Sequence, residues 1–578
     1  MINKLKKGIV VNRFNTYVKI SEYILDQPVR LLIVSTLSVL GAIFSGLSIG
    51  LIIPLLGGND RNIFEDTFFE FLDDFININF GSEKYTEVIN IALLIVFLSF
   101  LEMLISILII QISTNFEKLF LEKNLNLLFA HLNDIKYVDF FKYESGNIFT
   151  LFTNDLYQIS TIIRRALLSI QQIILIFVYF IILVSVSPFM SIFSFFIFII
   201  ISILSTGYIG RKSKSLNKEL SKLVIRINSK FNHLLDNFKN IRSLNLDNEK
   251  LNEVNELYGV FVNRRMSYHR FSNYPTPVNN FINILAIASV ILFGSFLFRN
   301  QTESWTILLV PFLVIILKLI PVVSQVNQVR ILIESIEPFI KRFELFKDQD
   351  VEPNTNEELF IFNDKISFKN VSFTYSEEQV LKKVNLSILK NKITGIIGTS
   401  GSGKSTIVDL LLKIYDPDGG QILIDEKDIS IINKNSLRKN ISFMPQNIFI
   451  DEKSIVENVL LKNSMSENKI ENLMREINLF SDLSSKNLTT ELEYGGKNIS
   501  GGQKQKINFL RAITKQAGFI ILDEPTNNLD DYSVEVVSKF IKEKSKNSTI
   551  LIIAHDHRII DLCDKIYKID NGLVSQIS

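Results

Sequence analysis

Six long apolar stretches in the first 330 residues constrain this chain more than any other feature. They lie near 31–56, 88–112, 165–186, 188–209, 275–298 and 304–326. Each is long enough to cross a bilayer, which takes about 20 residues. Lipid offers no hydrogen-bond partners, so such stretches fold as helices. The third and fourth are separated only by Ser187-Pro188, which predicts a tight hairpin. An even number of crossings returns the chain to its starting side. Lys and Arg are plentiful in 114–160 and 210–270, so these segments and both termini are expected in the cytoplasm. Both segments are helical in pattern, so the membrane helices are expected to continue beyond the lipid.

The flanking features refine this picture. Residues 1–30 begin with Lys4, Lys6, Lys7, Arg13 and Lys19, too polar a start for a signal peptide. They read as a cytoplasmic elbow on the membrane surface. The outer loop 57–87 sets Phe64, Phe68, Phe71, Leu72 and Phe75 at helical spacing among Glu65, Asp66, Glu70, Asp73 and Asp74. That pattern is an acidic amphipathic helix, lying on the outer face or simply capping the bundle. Glu102 and Lys318 fall inside spans, each roughly 21 Å from the outer end at about 1.5 Å per residue. A charge in lipid costs about 3 kcal/mol, so the two are candidates for a structural ion pair or for contact with cargo. Asn279, Asn280, Asn283, Gln171 and Gln172 fit either a wet cavity or interhelical hydrogen bonding.

At 578 residues the chain is too long for one core. A net charge of +2 gives no basic field of the kind nucleic acid requires. The single cysteine, Cys563, excludes an internal disulfide and cannot by itself hold zinc.

The last 220 residues read as a soluble α/β domain. Gly398-Thr399-Ser400-Gly401-Ser402-Gly403-Lys404-Ser405-Thr406 fits the phosphate-loop pattern G-x-x-x-x-G-K-[ST]. A strand reading (Ile393 to Ile397) precedes it and a helix reading (Thr406 to Leu412) follows. Glycines let backbone N–H groups curl around an anion, and the helix N-terminus adds partial positive charge. Lys404 would neutralise the β- and γ-phosphates of ATP, and the Ser405 hydroxyl would ligate Mg²⁺. The alternating stretch from Lys365 ends on Tyr375, whose ring can stack on adenine. Gly518 to Glu524 is an apolar strand ending in two acids. Asp523 could hold the metal shell and Glu524 deprotonate the attacking water; a helix cap would also use such a pair.

Between these lies Ser500-Gly501-Gly502-Gln503, which resembles the signature motif of ATP-binding cassette (ABC) proteins. The order agrees: Tyr375, the phosphate loop, Gln446, the signature, Asp523-Glu524, Asn527-Asn528-Leu529-Asp530, and Ala554-His555. These are similar to the A-loop, Walker A, Q-loop, signature, Walker B with its catalytic Glu, D-loop and H-loop. Thr490 to Gly496 resembles the exporter-specific loop, and Phe140 to Asp155 and Asn237 to Arg242 resemble two coupling segments. The whole chain therefore resembles a type IV (B-family) ABC half-exporter, similar to bacterial lipid flippases and multidrug exporters. Departures are Lys504 and Lys506 in place of arginines, and Asn527-Asn528 in place of Ser-Ala.

The resemblance implies a membrane all-α domain of six transmembrane helices extended into the cytoplasm, fused to an α/β P-loop ATPase domain. The expected organisation is an elbow (1–30), a membrane domain (31–330), a linker (331–360) and a nucleotide-binding domain (361–578). It further implies a homodimer in the bacterial inner membrane, although pairing with a second half-transporter stays open. Ser500 and Gly502 would meet the γ-phosphate held by the partner's Lys404, with Gly501, Gln503 and Asp530 beside them. Gln446 would sense Mg²⁺ and water, and His555 would touch the γ-phosphate. Residues 1–30 hold neither Cys nor His, which disfavours a leader-cleaving exporter. The cargo is expected to be a lipid or lipid-linked glycan, with a drug or peptide as the alternative; a nucleotide-gated channel is a more distant one.

Overall fold

The computed structural model describes residues 16–51, 84–141, 145–297, 302–349, 351, 358–375, 378–461, 465–479 and 488–577. The chain divides into two compact units, one of residues 1–135 with 139–350 and one of residues 136–138 with 351–578.

The first unit is helical. Helix α1 spans 16–25 and is followed by α2 (Pro28–Gly50), α3 (Lys84–Asp134), α4 (Leu156–Val186), α5 (Pro188–Asp236), α6 (Asp247–Asn273), α7 (Pro275–Leu297), α8 (Thr302–Ser335) and α9 (Glu337–Lys347). Proline opens α2, α5 and α7, where its missing N–H costs no helical bond. The hairpin at Ser187-Pro188 is one extended residue, Ser187, between α4 and α5. Helix α3 has 51 residues, or about 75 Å at 1.5 Å per residue, far beyond the roughly 30 Å of a hydrocarbon core. Among the described residues, four helical stretches are long and apolar enough to cross a membrane: Pro28–Gly50, Val88–Asp134, Ile148–Val186 and Phe312–Ser335. The expected crossings near 188–209 and 275–298 fall on α5 and α7, whose side chains are only partly described.

Two larger apolar cores run through the described residues of this unit. One joins Ala42 and Ile49 of α2, Leu175, Tyr179 and Leu183 of α4, Val290 of α7 and Ile315 and Ile316 of α8. The other joins α1, the distal half of α3, the start of α4 and α9 through Ile20, Phe116, Phe120, Leu128, Leu167, Phe343 and Phe346.

Part of this second core lies within the stretch expected as linker. Residues 337–347 form a helix that buries Phe339, Ile340, Phe343 and Phe346. Their i, i+1, i+4, i+7 spacing makes one apolar face, which a solvated linker would leave in water. Helix α1, within the stretch expected as an elbow, joins the same core through Ile20. Tyr23 packs edge-on against Phe120 and Phe343, and its hydroxyl donates to Glu344 Oε1 at 2.5 Å. Of the outer loop 57–87, residues 57–83 lie outside the described residues.

The second unit contains two sheets. An antiparallel sheet has the order β2-β1-β4-β5, with β1 (Lys365–Tyr375), β2 (Glu378–Leu389), β4 (Gly419–Ile424) and β5 (Lys427–Asp428). The larger sheet has the order β10-β9-β3-β8-β7-β6. It is built from β3 (Ile393–Gly398), β6 (Ile441–Met444), β7 (Phe519–Asp523), β8 (Thr549–Ile553), β9 (Lys565–Asp570) and β10 (Leu573–Gln576), and only β10 runs antiparallel.

The five residues of β7 are all buried, as expected for a parallel strand covered on both faces. Alternation sends Phe519 and Ile521 into the core shared with the antiparallel sheet, and Ile520 and Leu522 into the opposite, helical core. Among the helices of this unit are α10 (Lys404–Leu411), α11 (Gly501–Thr514) and α12 (Asp531–Lys544).

Candidate nucleotide site

Strand register assembles the site. Asp523 of β7 pairs with Ile553 of β8, and Ile553 with Ile396 of β3. Asp523, the phosphate loop after β3 and His555 just after β8 therefore share the C-terminal edge of the parallel strands. In open α/β sheets ligands bind at that edge. Met444 of β6 pairs with Leu522, which brings Gln446 to the same edge.

The phosphate loop leads straight into α10. Gly403 is its N-cap at φ 104°, and a Cβ there would lie 2.8 Å from Leu381 Cδ2, so the turn requires glycine. Lys404 Nζ donates to the carbonyls of Gly398 and Thr399 at 2.8 and 2.9 Å, folding back over its own loop. Burial lowers its pKa, against the opposing charges of Glu524 and Asp523. The buried Ser402 hydroxyl has no partner among the described residues.

Ser405 lies close enough to Asp523 for its hydroxyl to favour the ionised carboxylate. Burial, then repulsion by Glu524, pushes the Asp523 carboxyl up to about 6. The Ser405 hydroxyl and the Asp523 carboxylate are hard oxygen donors, so the residues present fit Mg²⁺.

Glu524 sits one residue past the strand at φ 51°, a left-handed conformation costly for a non-glycine residue. Its N–H donates to Ile553 O at 2.8 Å. The side-chain Oε2 accepts from Gln446 Nε2 at 2.9 Å and also from Asn527 Nδ2. His555 Nε2 lies 3.8 Å from Oε1. Gln446, Glu524 and His555 are thus brought together, and Asn527 joins them.

Tyr375 is edge-on to Phe373 and Tyr415, with centroids at 4.8 and 5.3 Å, and its hydroxyl donates to Asp409 Oδ2 at 3.3 Å. Burial pushes its phenol up to about 12.

The signature forms a helix cap. Ser500 is the N-cap of α11, its hydroxyl accepting from Gln503 N while Gln503 Oε1 accepts from Ser500 N, a reciprocal capping box. Gly502 packs against the D-loop, where a Cβ would lie 2.8 Å from Asn528 O. Asp530 caps α12 through Ser533 and lies 3.7 Å from the buried Lys506 amine. Lys504 Nζ donates to Gly495 O at 2.7 Å, tying α11 to the loop that precedes it.

Two residues that sequence reasoning did not single out join these parts. Gln505 donates to the Glu524 carbonyl and Asn508 to the Pro445 carbonyl, both at 2.9 Å. One helix thus holds both the Glu524 turn and the Gln446 segment. Their only sequence signal was polarity within a buried helix.

A helical membrane-type domain followed by a P-loop cassette with a capped signature helix defines a membrane-bound nucleotide-binding protein. The family model described as ABC transporter transmembrane region matches residues 30–319, and the ABC transporter model matches 381–527. The chain belongs to the ABC transporter family, with the type IV exporter architecture.

A putative export ATP-binding/permease protein of Rickettsia conorii is 27% identical over 82% of this chain and 85% of its own length. A probable ABC transporter ATP-binding/permease protein of Haemophilus influenzae is 35% identical over 36% of this chain and 39% of its own. An ATP-dependent lipid A-core flippase of Francisella tularensis is 24% identical over 75% of this chain and 73% of its own. The match thus spans well under half the length of the Haemophilus relative. A structure of a bacterial Atm1-family ABC exporter with ATP bound shares the fold. Its TM-score is 0.78 at 18% identity, over 94% of this chain and 95% of that one.

Proposed function

We propose that this chain is an ATP-driven exporter or flippase of the bacterial inner membrane, that two copies form the working pump, and that its cargo is a lipid or lipid-linked glycan. The observation that carries the ATP-driven part is the arrangement around Glu524, next to Asp523 at the strand end and held by Gln446 and Asn527. In this reading Tyr375 stacks on adenine, residues 398–406 cradle the phosphates, and Lys404 turns from its own carbonyls to the β- and γ-phosphates. Glu524 takes the proton of the attacking water, with Gln446 and His555 positioning water and γ-phosphate. Ser405, Gln446 and Asp523 would hold Mg²⁺, which when bound neutralises charge on the phosphates.

One cassette leaves this site incomplete. Ser500, Gly501, Gly502, Gln503 and Asp530 of a second copy would close over the γ-phosphate, which makes the dimer the unit of hydrolysis. Closure and reopening of the cassettes would alternate the access of the membrane helices.

The cargo reading is supported by charge inside the membrane-length helices. Glu102 of α3 lies near Ser45 of α2 and Lys318 of α8, both of which act on its carboxyl. Ser45 Oγ in turn lies 2.8 Å from the Tyr179 hydroxyl of α4. Four helices thus meet at a polar cluster that a purely apolar cargo would not need. The test is ATPase activity in nanodiscs during titration with lipid-linked glycan, lipid A and a cationic drug. Stimulation by a lipid class alone supports the reading; stimulation by the drug alone replaces it with multidrug export.

A further inference from the structure

The first unit contains a second feature, a cavity of about 290 Å³ walled by α4, α5, α6, α8 and α9. Arg165, Arg265, His269 and Arg342 line it, and among the described residues no Asp or Glu does. Arg342 is already neutralised, donating to both carboxylate oxygens of the buried Asp155 at 2.6 and 2.8 Å. Arg165 and Arg265 make no ion pair among the described residues, and the Arg265 guanidinium lies 5.7 Å over the Phe261 ring. Tyr268 and Phe339 add aromatic surface to the wall.

Position matters as much as charge. Arg165 precedes the outer end of α4 by about 30 Å at 1.5 Å per residue, one hydrocarbon thickness. Arg265 precedes the start of α7 by a further stretch of about 15 Å. With the cytoplasmic orientation proposed above, the cavity reaches from the level of the inner-leaflet headgroups to about 15 Å below it, where an anionic head could leave the lipid.

We propose that this cavity is the loading site for a phosphate-bearing cargo head, with Arg165 and Arg265 as its binding residues and the aromatic wall against the adjoining apolar part. The inference rests on the exporter reading above and narrows its cargo to anions. Guanidinium groups bind phosphate through charge-assisted, paired hydrogen bonds.

The experiment is calorimetric titration of nucleotide-free, full-length protein in nanodiscs, with empty nanodiscs subtracted. The probes are hexyl phosphate, hexyl trimethylammonium, hexyl glucoside and glycerol 3-phosphate. Hexyl phosphate is expected to bind saturably and best. R165Q and R265Q are each expected to weaken it about tenfold, the loss of one charged hydrogen bond. R165K/R265K is expected to bind more tightly than R165Q/R265Q, and the melting temperature of every variant is recorded as a folding control. Equal binding of the phosphate and trimethylammonium probes would overturn the proposal, as would unchanged affinity in folded R165Q and R265Q. Glycerol 3-phosphate binding as tightly as hexyl phosphate, with the same arginine dependence, would uphold the anion site and contradict the lipid cargo.

Discussion

Gln446 Nε2 donates to Glu524 Oε2 at 2.9 Å, and Asn527 Nδ2 donates to the same oxygen. Two amides thus fix the carboxylate that would accept a proton from water. A hydrogen bond to a charged group is worth about 1.5–3 kcal/mol. Gln446→Ala and Asn527→Ala are each expected to slow ATP hydrolysis by about tenfold or more. Because the amides share one acceptor, the double variant should lose less than the product of the two effects. A double-mutant cycle on steady-state kcat measures this coupling.

Asp523 gives the site a pH signature. Burial raises its carboxyl to about 6, above its unfolded value, so between those values the folded state keeps a proton that the unfolded state has lost. By linkage this group makes the nucleotide-free cassette less stable as pH rises to about 6 and contributes no further change above it. A metal must displace that proton. Mg²⁺-dependent strengthening of nucleotide binding is therefore expected to weaken as pH falls below about 6 and to level off above it. Fluorescent-nucleotide affinity with Mg²⁺ and with EDTA, across pH 5 to 8, checks this. Asp523→Asn should abolish the difference.

Tyr375 is held by Phe373, Tyr415 and Asp409. Stacking of an aromatic ring on a base is worth about 1–3 kcal/mol. Tyr375→Ala is expected to weaken ATP binding by about tenfold, and Tyr375→Trp to retain most of it. Equilibrium binding of ATP and of inorganic triphosphate separates stacking from general damage, since triphosphate affinity should stay the same.

The bidentate Arg342–Asp155 pair joins α9 to the π-helical turn Leu151–Asp155 before α4, with Asp155 fully buried. Removing one partner of a buried pair costs about 3–5 kcal/mol. Arg342→Met should lower the melting temperature markedly, and Asp155→Asn/Arg342→Met should recover part of the loss. Denaturation followed by circular dichroism reads both.

Much of the cassette was legible because its signals are local. The alternation from Lys365 to Tyr375 marks β1, the glycine pattern marks the turn into α10, and Ser500 with Gln503 marks the start of α11. The apolar runs likewise marked α2, α3, α4 and α8. What escaped depends on distance in sequence. Helix α9 sits in a stretch expected as linker because its apolar face matters only against Phe120 and Leu128, some 200 residues earlier. Gln505 and Asn508 looked like ordinary helix residues until their carbonyl partners, 19 and 63 residues away, were in place. The basic cavity collects side chains from five helices and from the segment 150–154 before α4, and no single segment carries its pattern.

The most direct test of the central claim is translocation itself. Purified protein in liposomes, with cassettes facing outward, would be supplied with ATP and a polyprenyl-phosphate lipid bearing a fluorescent head. Movement of the head to the inner leaflet is followed by its protection from a membrane-impermeant quencher. An ATP-dependent rise in protection for wild type, absent in Glu524→Gln, is the predicted result. Protection that does not depend on ATP, or that persists in Glu524→Gln, would contradict the account.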